Sequence, residues 1–352
     1  MKNILFICGS INQTTQMHAI ARELPGHAHY FTPYYSHGFI GWCAKRGFLE
    51  FSILGAKLGN RALEYLRAHD LRIDMHGQGR SYDLVLTCSD LIIPRNIRHT
   101  PIVLVQEGMT DPKNVAYYLA KYLKLPRWMA STSTTGLSHA YRAFCVASEG
   151  YREMFLHNGV RPGTLRVTGI PNFDNCAEYR NNDFPHRNFV LVATSDMRET
   201  FKYENRVRFI RRCLDIAQGR QLIFKLHPNE HAERATKEIQ THAPGALVYA
   251  TGNINHMIAN CDVLVTRFSS VVYIGLALEK EVYSDFDVHE LRGKVPIQNG
   301  GSSAAAIAVV CREILVREAL GGTGQVVTRQ AGTPQFLPAF ATRIRRHFGS
   351  GA

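Results

Sequence analysis

The sequence predicts an α/β fold of two parallel, doubly wound domains facing each other across a cleft. Three observations predict it. Short apolar runs rich in β-branched residues alternate with helix-like stretches. The alternation breaks once, in a polar stretch, and then restarts. At 352 residues the chain has the length of two domains.

Taken in order, "NILFICGS" reads as a strand and "TTQMHAIARELP" as a helix stopped by Pro25. "HAHYFTP", "YDLVLTCSD" and "PIVLVQEG" read as strands. "AFCVASEGYREMFLHNGV" is a strand running into a helix, and "TLRVTGIPNFD" a further strand. "CAEYRNNDFPHRN" is polar, contains Pro185 and has no apolar period, so it reads as a linker. The rhythm resumes with "FVLVATS" (strand) and "ENRVRFIRRCLDIAQ" (helix, with Val207, Phe209, Ile210, Cys213, Leu214 and Ile216 roughly to one side). "QLIFKLHP", "ALVYATG", "DVLVTRFSS" and "EVYSDFD" follow as strands. "HAERATKEIQTHA", "NINHMIANC" and "SVVYIGLALE" are the helices between them. The expected boundaries are a first domain over 1–172, a linker over 173–188, a second domain over 189–315 and a basic tail over 316–352.

Composition is that of a globular protein, with 45% hydrophobic and 20% charged residues. The opening "MKNILFICGS" reads as a buried strand and not as an export signal. No uncharged apolar run reaches the roughly 18 residues that span a bilayer, so a soluble, cytoplasmic protein is expected. The eight cysteines are scattered without a CxxC pair, which fits reduced thiols and neither a disulfide framework nor a zinc site. The net charge of +12 suits nucleic acid, anionic lipid or phosphorylated substrates. No helix-turn-helix, RRM, KH or zinc-finger pattern is present, so nucleic acid is not an expected partner. From Arg317 onward five arginines stand against one glutamate. "FATRIRRHF" fits a basic helix on an anionic membrane surface, peripheral on the inner face, or a solvated helix.

Three motifs fall at predicted strand ends, where open α/β sheets bind ligands. In "VLVQEGMTDP", Glu107 closes a very apolar strand. It suits a general base, or a carboxylate capping the helix start near Thr110 and Asp111. In "IFKLHPNE", Pro228 holds His227 extended, and Lys225 precedes it. The imidazole suits a donor to a leaving phosphate, or a loop histidine bonded to a neighbour. His231 lies at i+4 from His227, but Pro228 argues against a shared helical face for a metal. In "VTRFSSVVYIGLALE", Arg267, Ser269 and Ser270 lead into a helix whose first N–H groups suit a phosphate, or the serines act as a plain N-cap. The strand ends Gly9–Ser10 and Thr194–Ser195 join this donor-binding set with Pro228. "SDFD", carrying Asp285 and Asp287, reads as a polar loop, so no metal site and no cofactor is expected. "GQGRSY" lacks the third glycine of a dinucleotide fingerprint, and no Walker loop is present. "AHYFTPYYSHGFIGWCA" holds six aromatics and no charged residue. It suits contact with a sugar or lipid acceptor, or packing within the first domain.

Together "QEG", "HP" and "SS" resemble the motifs of GT-B glycosyltransferases, in particular bacterial enzymes that use CMP-activated sialic acid or Kdo. Gln106 stands where the sialyltransferase motif has an acid. CDP-glycerol glycerophosphotransferases carry a similar His-Pro step and Ser-Ser element. UDP-N-acetylglucosamine 2-epimerases are similar in plan, with a "VTGIP"-like segment before the linker. Their serine-glycine-glycine stretch and paired glutamates are missing here. The resemblance implies a metal-independent transfer of a sugar from a CMP- or CDP-linked donor to a bacterial surface glycan or lipid-linked precursor. Glu107 would be the base and His227 the partner of the leaving phosphate. The donor would lie on the second domain and the acceptor on the first. The alternatives are an epimerase and a non-catalytic GT-B-like binding protein.

Overall fold

The structure, a computed structural model, describes residues 1–49, 52–111, 113, 115–122, 126–199 and 203–321. The chain first lays down β1 (Asn3–Cys8), α1 (Ile11–Arg22), β2 (Ala28–Pro33), α2 (Gly38–Lys45), α3 (Ala56–Ala68), β3 (Leu84–Thr87), β4 (Ile102–Val105), α4 (Val115–Tyr122), β5 (Ala143–Val146), α5 (Glu149–Asn158) and β6 (Leu165–Val167). The six strands are all parallel, in the order β2-β1-β3-β4-β5-β6. Residues of β1, β3, β4 and β5 are buried on both faces, as their unbroken apolar runs require.

The second sheet comes from β7 (Val190–Ala193), α6 (Arg206–Ala217), β8 (Leu222–Lys225), α7 (Ala232–His242), β9 (Leu247–Tyr249), α8 (Ile254–Asn260), β10 (Val263–Thr266), α9 (Val272–Ala277) and β11 (Glu281–Tyr283). It is also all parallel, in the order β11-β10-β7-β8-β9. In each sheet the strand order reverses once, between β1 and β3 and between β7 and β10. Those reversals open crevices at the carboxyl ends of the strands.

Local chemistry fixes the helix starts. Ser10 accepts the Gln13 N–H ahead of α1, Ser148 that of Tyr151 ahead of α5, and Asn205 that of Arg208 ahead of α6. Residues 176–180 form a short 3-10 turn. The polar stretch after it is sewn down by reciprocal amide bonds between Asn182 and Asn260, at 3.0 and 2.9 Å.

After β11 come α10 (Val288–Arg292) and α11 (Ser303–Ala319). The apolar face of α11, with Ile307, Cys311 and Ile314, packs into the cluster of Ile4, Phe6 and Met17 beneath the first sheet. The chain thus returns to its first half. Between the halves, Tyr151 and Tyr273 share a buried hydroxyl–hydroxyl bond of 2.7 Å. The Ser148 hydroxyl donates to the Lys294 carbonyl, and the Ile297 N–H to that of Ala147.

Three elements differ from expectation. The aromatic segment "AHYFTPYYSHGFIGWCA" divides: Ala28–Pro33 form β2, Tyr34 and Tyr35 are buried, and the end folds into α2, with Phe39 and Trp42 outward. The helix after the serine pair is six residues, shorter than "SVVYIGLALE" suggests. The amphipathic α3, with Leu58, Ala62 and Leu66 at i, i+4 and i+8, carries a helix signal that the strand-by-strand reading passes over. The basic motif "FATRIRRHF" lies outside the described residues. Among the described residues no helix is long and apolar enough to cross a membrane.

Candidate functional site

At the first crevice, β1 and β4 deliver their ends to one carboxylate. The Ser10 hydroxyl donates to Glu107 Oε1 at 2.6 Å, and the Gln13 amide donates to Oε2 at 2.6 Å. Gly9 makes this possible, because a Cβ there would collide with the Gln13 amide. Glu107 is half-buried, and among the described residues no cation lies within ion-pair distance of it. Its carboxylate adds to burial in pushing the Cys88 thiol, at the end of β3, well above its ordinary pKa. Gln106 takes a different part. Fully buried, it accepts the Ala147 N–H at 2.9 Å and donates to the Gly108 carbonyl at 2.7 Å, pinning β4 to β5. Neither Thr110 nor Asp111 N–H is bonded to Glu107; the Asp111 N–H goes to Thr132.

A cavity of ≈560 Å³ opens from this corner, bounded by α2, the start of α3, the loop after β3 and residues 127–134. Glu107 and Gln13 form its polar end, and Ile40, Leu54, Leu58 and Ile92 are among its apolar walls. A second cavity, of ≈650 Å³, lies at the seam between the halves, between α5 and α10.

At the second crevice the predicted donor residues divide into two groups. Thr194, Lys225 and Arg267 are engaged inside the protein. Thr194 donates to the buried Glu230 and accepts the His227 N–H at 3.0 Å. The Lys225 ammonium caps the carbonyls of Leu226 and Ala250 at 2.9 and 3.1 Å, and burial lowers its pKa. Arg267 binds Asp285 at 2.6 Å and reaches Glu204 at 3.5 Å. Asp285 is thus a partner of arginine, and Asp287 caps α10. Among the described residues no group of three His, Cys, Asp or Glu side chains is placed to hold a metal.

The second group is less engaged. The Ser195 hydroxyl is buried without a hydrogen-bond partner among the described residues. So is that of Thr266, which the sequence reading missed. They lie at the ends of β7 and β10, adjacent strands that flank the crevice. Ser269 accepts the Val271 N–H at a long 3.5 Å, and among the described residues the Ser270 hydroxyl is unbonded.

His227 stands at the end of β8, about one-third exposed. Its N–H is held by Thr194 and Glu230, and its Nδ1 accepts the Asn229 N–H at 3.2 Å. In the neutral ring the proton therefore sits on Nε2. Asp196 lies 3.7 Å from Nδ1. Pro228 follows in the turn that returns Glu230 beneath His227, where Arg206 binds that carboxylate. Gln13, Asp196 and Arg206 are supports that no short motif announces, whereas Glu230 closes "IFKLHPNE" itself.

No family model matches the chain, and no curated protein matches it in sequence. Solved structures do. The UDP-GlcNAc 2-epimerase from Neisseria meningitidis bound to UDP-GlcNAc is 11% identical, with a TM-score of 0.54 over 88% of this chain and 100% of that one. The Methanocaldococcus jannaschii UDP-GlcNAc 2-epimerase in complex with UDP-GlcNAc and UDP is 12% identical, at 0.51 over 88% and 99%. The wall teichoic acid polymerase TagF soaked with CDPG is 10% identical, at 0.50 over 90% of each chain. These likenesses carry the fold: two parallel α/β sheets with interleaved helices, arranged as in GT-B proteins.

Proposed function

We propose that the chain is a GT-B glycosyltransferase that takes a sugar from a nucleotide donor and passes it to an acceptor hydroxyl. One observation carries this reading. Glu107 is aimed by Ser10 and Gln13 at the mouth of a cavity large enough for a small-molecule acceptor. An epimerase has no second substrate to place there. The structural relatives bound to UDP-GlcNAc or soaked with CDPG support a nucleotide-linked donor.

The reaction follows from the two crevices. Glu107 takes the proton of the acceptor hydroxyl as its oxygen bonds to the sugar carbon. The bond from that carbon to the donor phosphate breaks, and its electron pair leaves with the nucleotide. His227 Nε2–H, with the hydroxyls of Ser195, Thr266, Ser269 and Ser270, offers donors to the phosphate charge. The step as written uses no metal and no cofactor. The absence of the epimerase glycines beside "SS" favours a CMP or CDP donor over UDP. The acceptor is read as a bacterial surface glycan or its lipid-linked precursor.

A thermal-shift screen of CMP, CDP, UDP and GDP, followed by product analysis, tests the reading. Stabilisation by a cytidine nucleotide and release of free sugar from its donor are expected. An isomerised sugar would establish the epimerase instead. Binding without turnover of any donor would mark a binding protein.

A further inference from the structure

The cavity beside Glu107 specifies what kind of molecule reaches it. It has a polar corner at Glu107 and Gln13 and a mainly apolar lining. At the polar end the Gln13 Oε1 is buried without a hydrogen-bond partner, and Gln13 itself is 3% exposed. Glu107 lies next to it with no cation among the described residues in ion-pair range. A carboxylate with no positive charge beside it calls for a hydrogen-bond donor. It rejects a phosphate or carboxylate, which would meet like charge. The rest of the wall is mainly apolar, with Ile40, Leu54, Leu58, Leu91 and Ile92, and the hydroxyl residues Ser52, Ser89, Thr132 and Thr135 stand among them. At the open rim Phe39 is 77% exposed and stacks on Trp42 at 5.9 Å, extending the apolar lining outward.

We infer that this cavity is a binding site for an amphiphilic alcohol, its hydroxyl on Glu107 and its aliphatic body along the α2–α3 wall. The inference deepens the transferase reading, and rests on it for the reactivity of the bound hydroxyl. The apolar body fixes the depth of the hydroxyl. A free sugar, without that body, would reach Glu107 but would not be held there.

Trp128 lines the cavity and is one of only two tryptophans. In a Trp42→Phe background it reports binding alone. Straight-chain 1-alkanols from hexanol to decanol are titrated against its fluorescence, with alkyl phosphates of equal length alongside. The expected result is about four-fold tighter binding per added methylene until the cavity is full. Alkyl phosphates should bind at least ten-fold more weakly than their alcohols at pH 8. Leu58→Phe, which fills the cavity, and Ile40→Asp, which charges its wall, should each abolish the chain-length trend.

A flat chain-length series overturns the inference. So does equal binding of alcohols and phosphates, or an unchanged trend in whichever variant folds by circular dichroism. The wild-type series decides alone if neither variant folds. Failure of the transferase reading is distinguishable: the alcohol series would stand while no nucleotide donor is turned over.

Discussion

Ser10 and Glu107, 97 residues apart, are joined by a 2.6 Å hydrogen bond at the crevice where the first sheet reverses its strand order. The same Ser10 oxygen accepts the Gln13 N–H and so caps α1. One hydroxyl thus ties the start of the first helix to the proposed base. Oε2 is tied to the same helix through the Gln13 side chain.

Glu107→Gln should retain donor binding and lose about 10²–10⁴ in turnover, the usual worth of a positioned base. Ser10→Ala should cost less, about ten-fold in turnover with about 1 kcal/mol of stability, because it removes one aiming bond and a helix cap. Gly9→Ala should resemble Ser10→Ala in rate, since its methyl displaces the Gln13 amide. Steady-state kinetics with nucleotide affinity measured separately checks all three. Near-normal turnover in Glu107→Gln would reduce Glu107 to a structural group.

How much of this was legible beforehand differs by element. Strands were readable because parallel, doubly covered strands need unbroken apolar runs, as in "NILFIC" and "DVLVT". Glu107 and His227 were readable as positions because both follow such runs. Among their supports Glu230 ends the His227 stretch, but Gln13 and Arg206 are ordinary helix residues until the fold brings them together. Lys225 and Arg267 show the converse. A cation at a strand end suggests phosphate, yet the structure directs one to backbone carbonyls and the other to carboxylates. Thr266 went unnoticed because its hydroxyl matters only through having no partner.

The seam between the halves should be intolerant of a single methyl. A Cβ on Gly150 would run into the carbonyl of Gly293, and backbone on both sides leaves little room to yield. Gly150→Ala should destabilise by about 1–3 kcal/mol, the usual cost of overpacking. Tyr273→Phe should cost about 1–2 kcal/mol by removing the buried bond between the two hydroxyls. Urea midpoints measure both, and an unchanged midpoint in Gly150→Ala would show that the seam opens freely.

Beneath His227, Arg206 binds the buried carboxylates of both Glu204 and Glu230. Arg206→Met leaves Glu230 without a cation among the described residues and Glu204 with only Arg198 and Arg267 at 3.5 Å, and should destabilise by about 3–5 kcal/mol. Adding Glu230→Gln removes one stranded charge, so the double variant should recover part of the loss. A double variant less stable than Arg206→Met by the full cost of Glu230→Gln alone would mean the two side chains are not coupled.

Stability should fall on mild acidification. Burial lowers the pKa values of His18, His29 and His139 below the ordinary histidine value near 6.5. Below that value the unfolded chain binds more protons than the folded one, so stability drops as pH drops. His29 contributes through burial, and the Leu24 carbonyl, 2.9 Å from its Nε2, opposes that shift in part. The thermal midpoint should decline from pH 7.5 to 5.5, and His29→Gln should flatten that slope. A midpoint that rises over the same interval would reverse the assignment.

The last prediction concerns His227. Its backbone N–H is fixed by Thr194 and Glu230, and its Nδ1 takes the Asn229 N–H. Those bonds orient the ring and leave Nε2–H, which has no partner among the described residues, as the available donor. Removing one such donor to a developing charge typically costs about 10²–10³ in turnover. His227→Ala should show that loss, while its stability stays within about 0.5 kcal/mol because a loop-end ring buries little apolar surface. Because the missing interaction acts on the departing phosphate, a donor with a more acidic leaving group should recover part of the rate in His227→Ala and gain little in the wild type. Full activity of His227→Ala with the natural donor would assign the ring to the turn it sits in, and the leaving charge would then fall to the hydroxyls of Ser195, Thr266, Ser269 and Ser270.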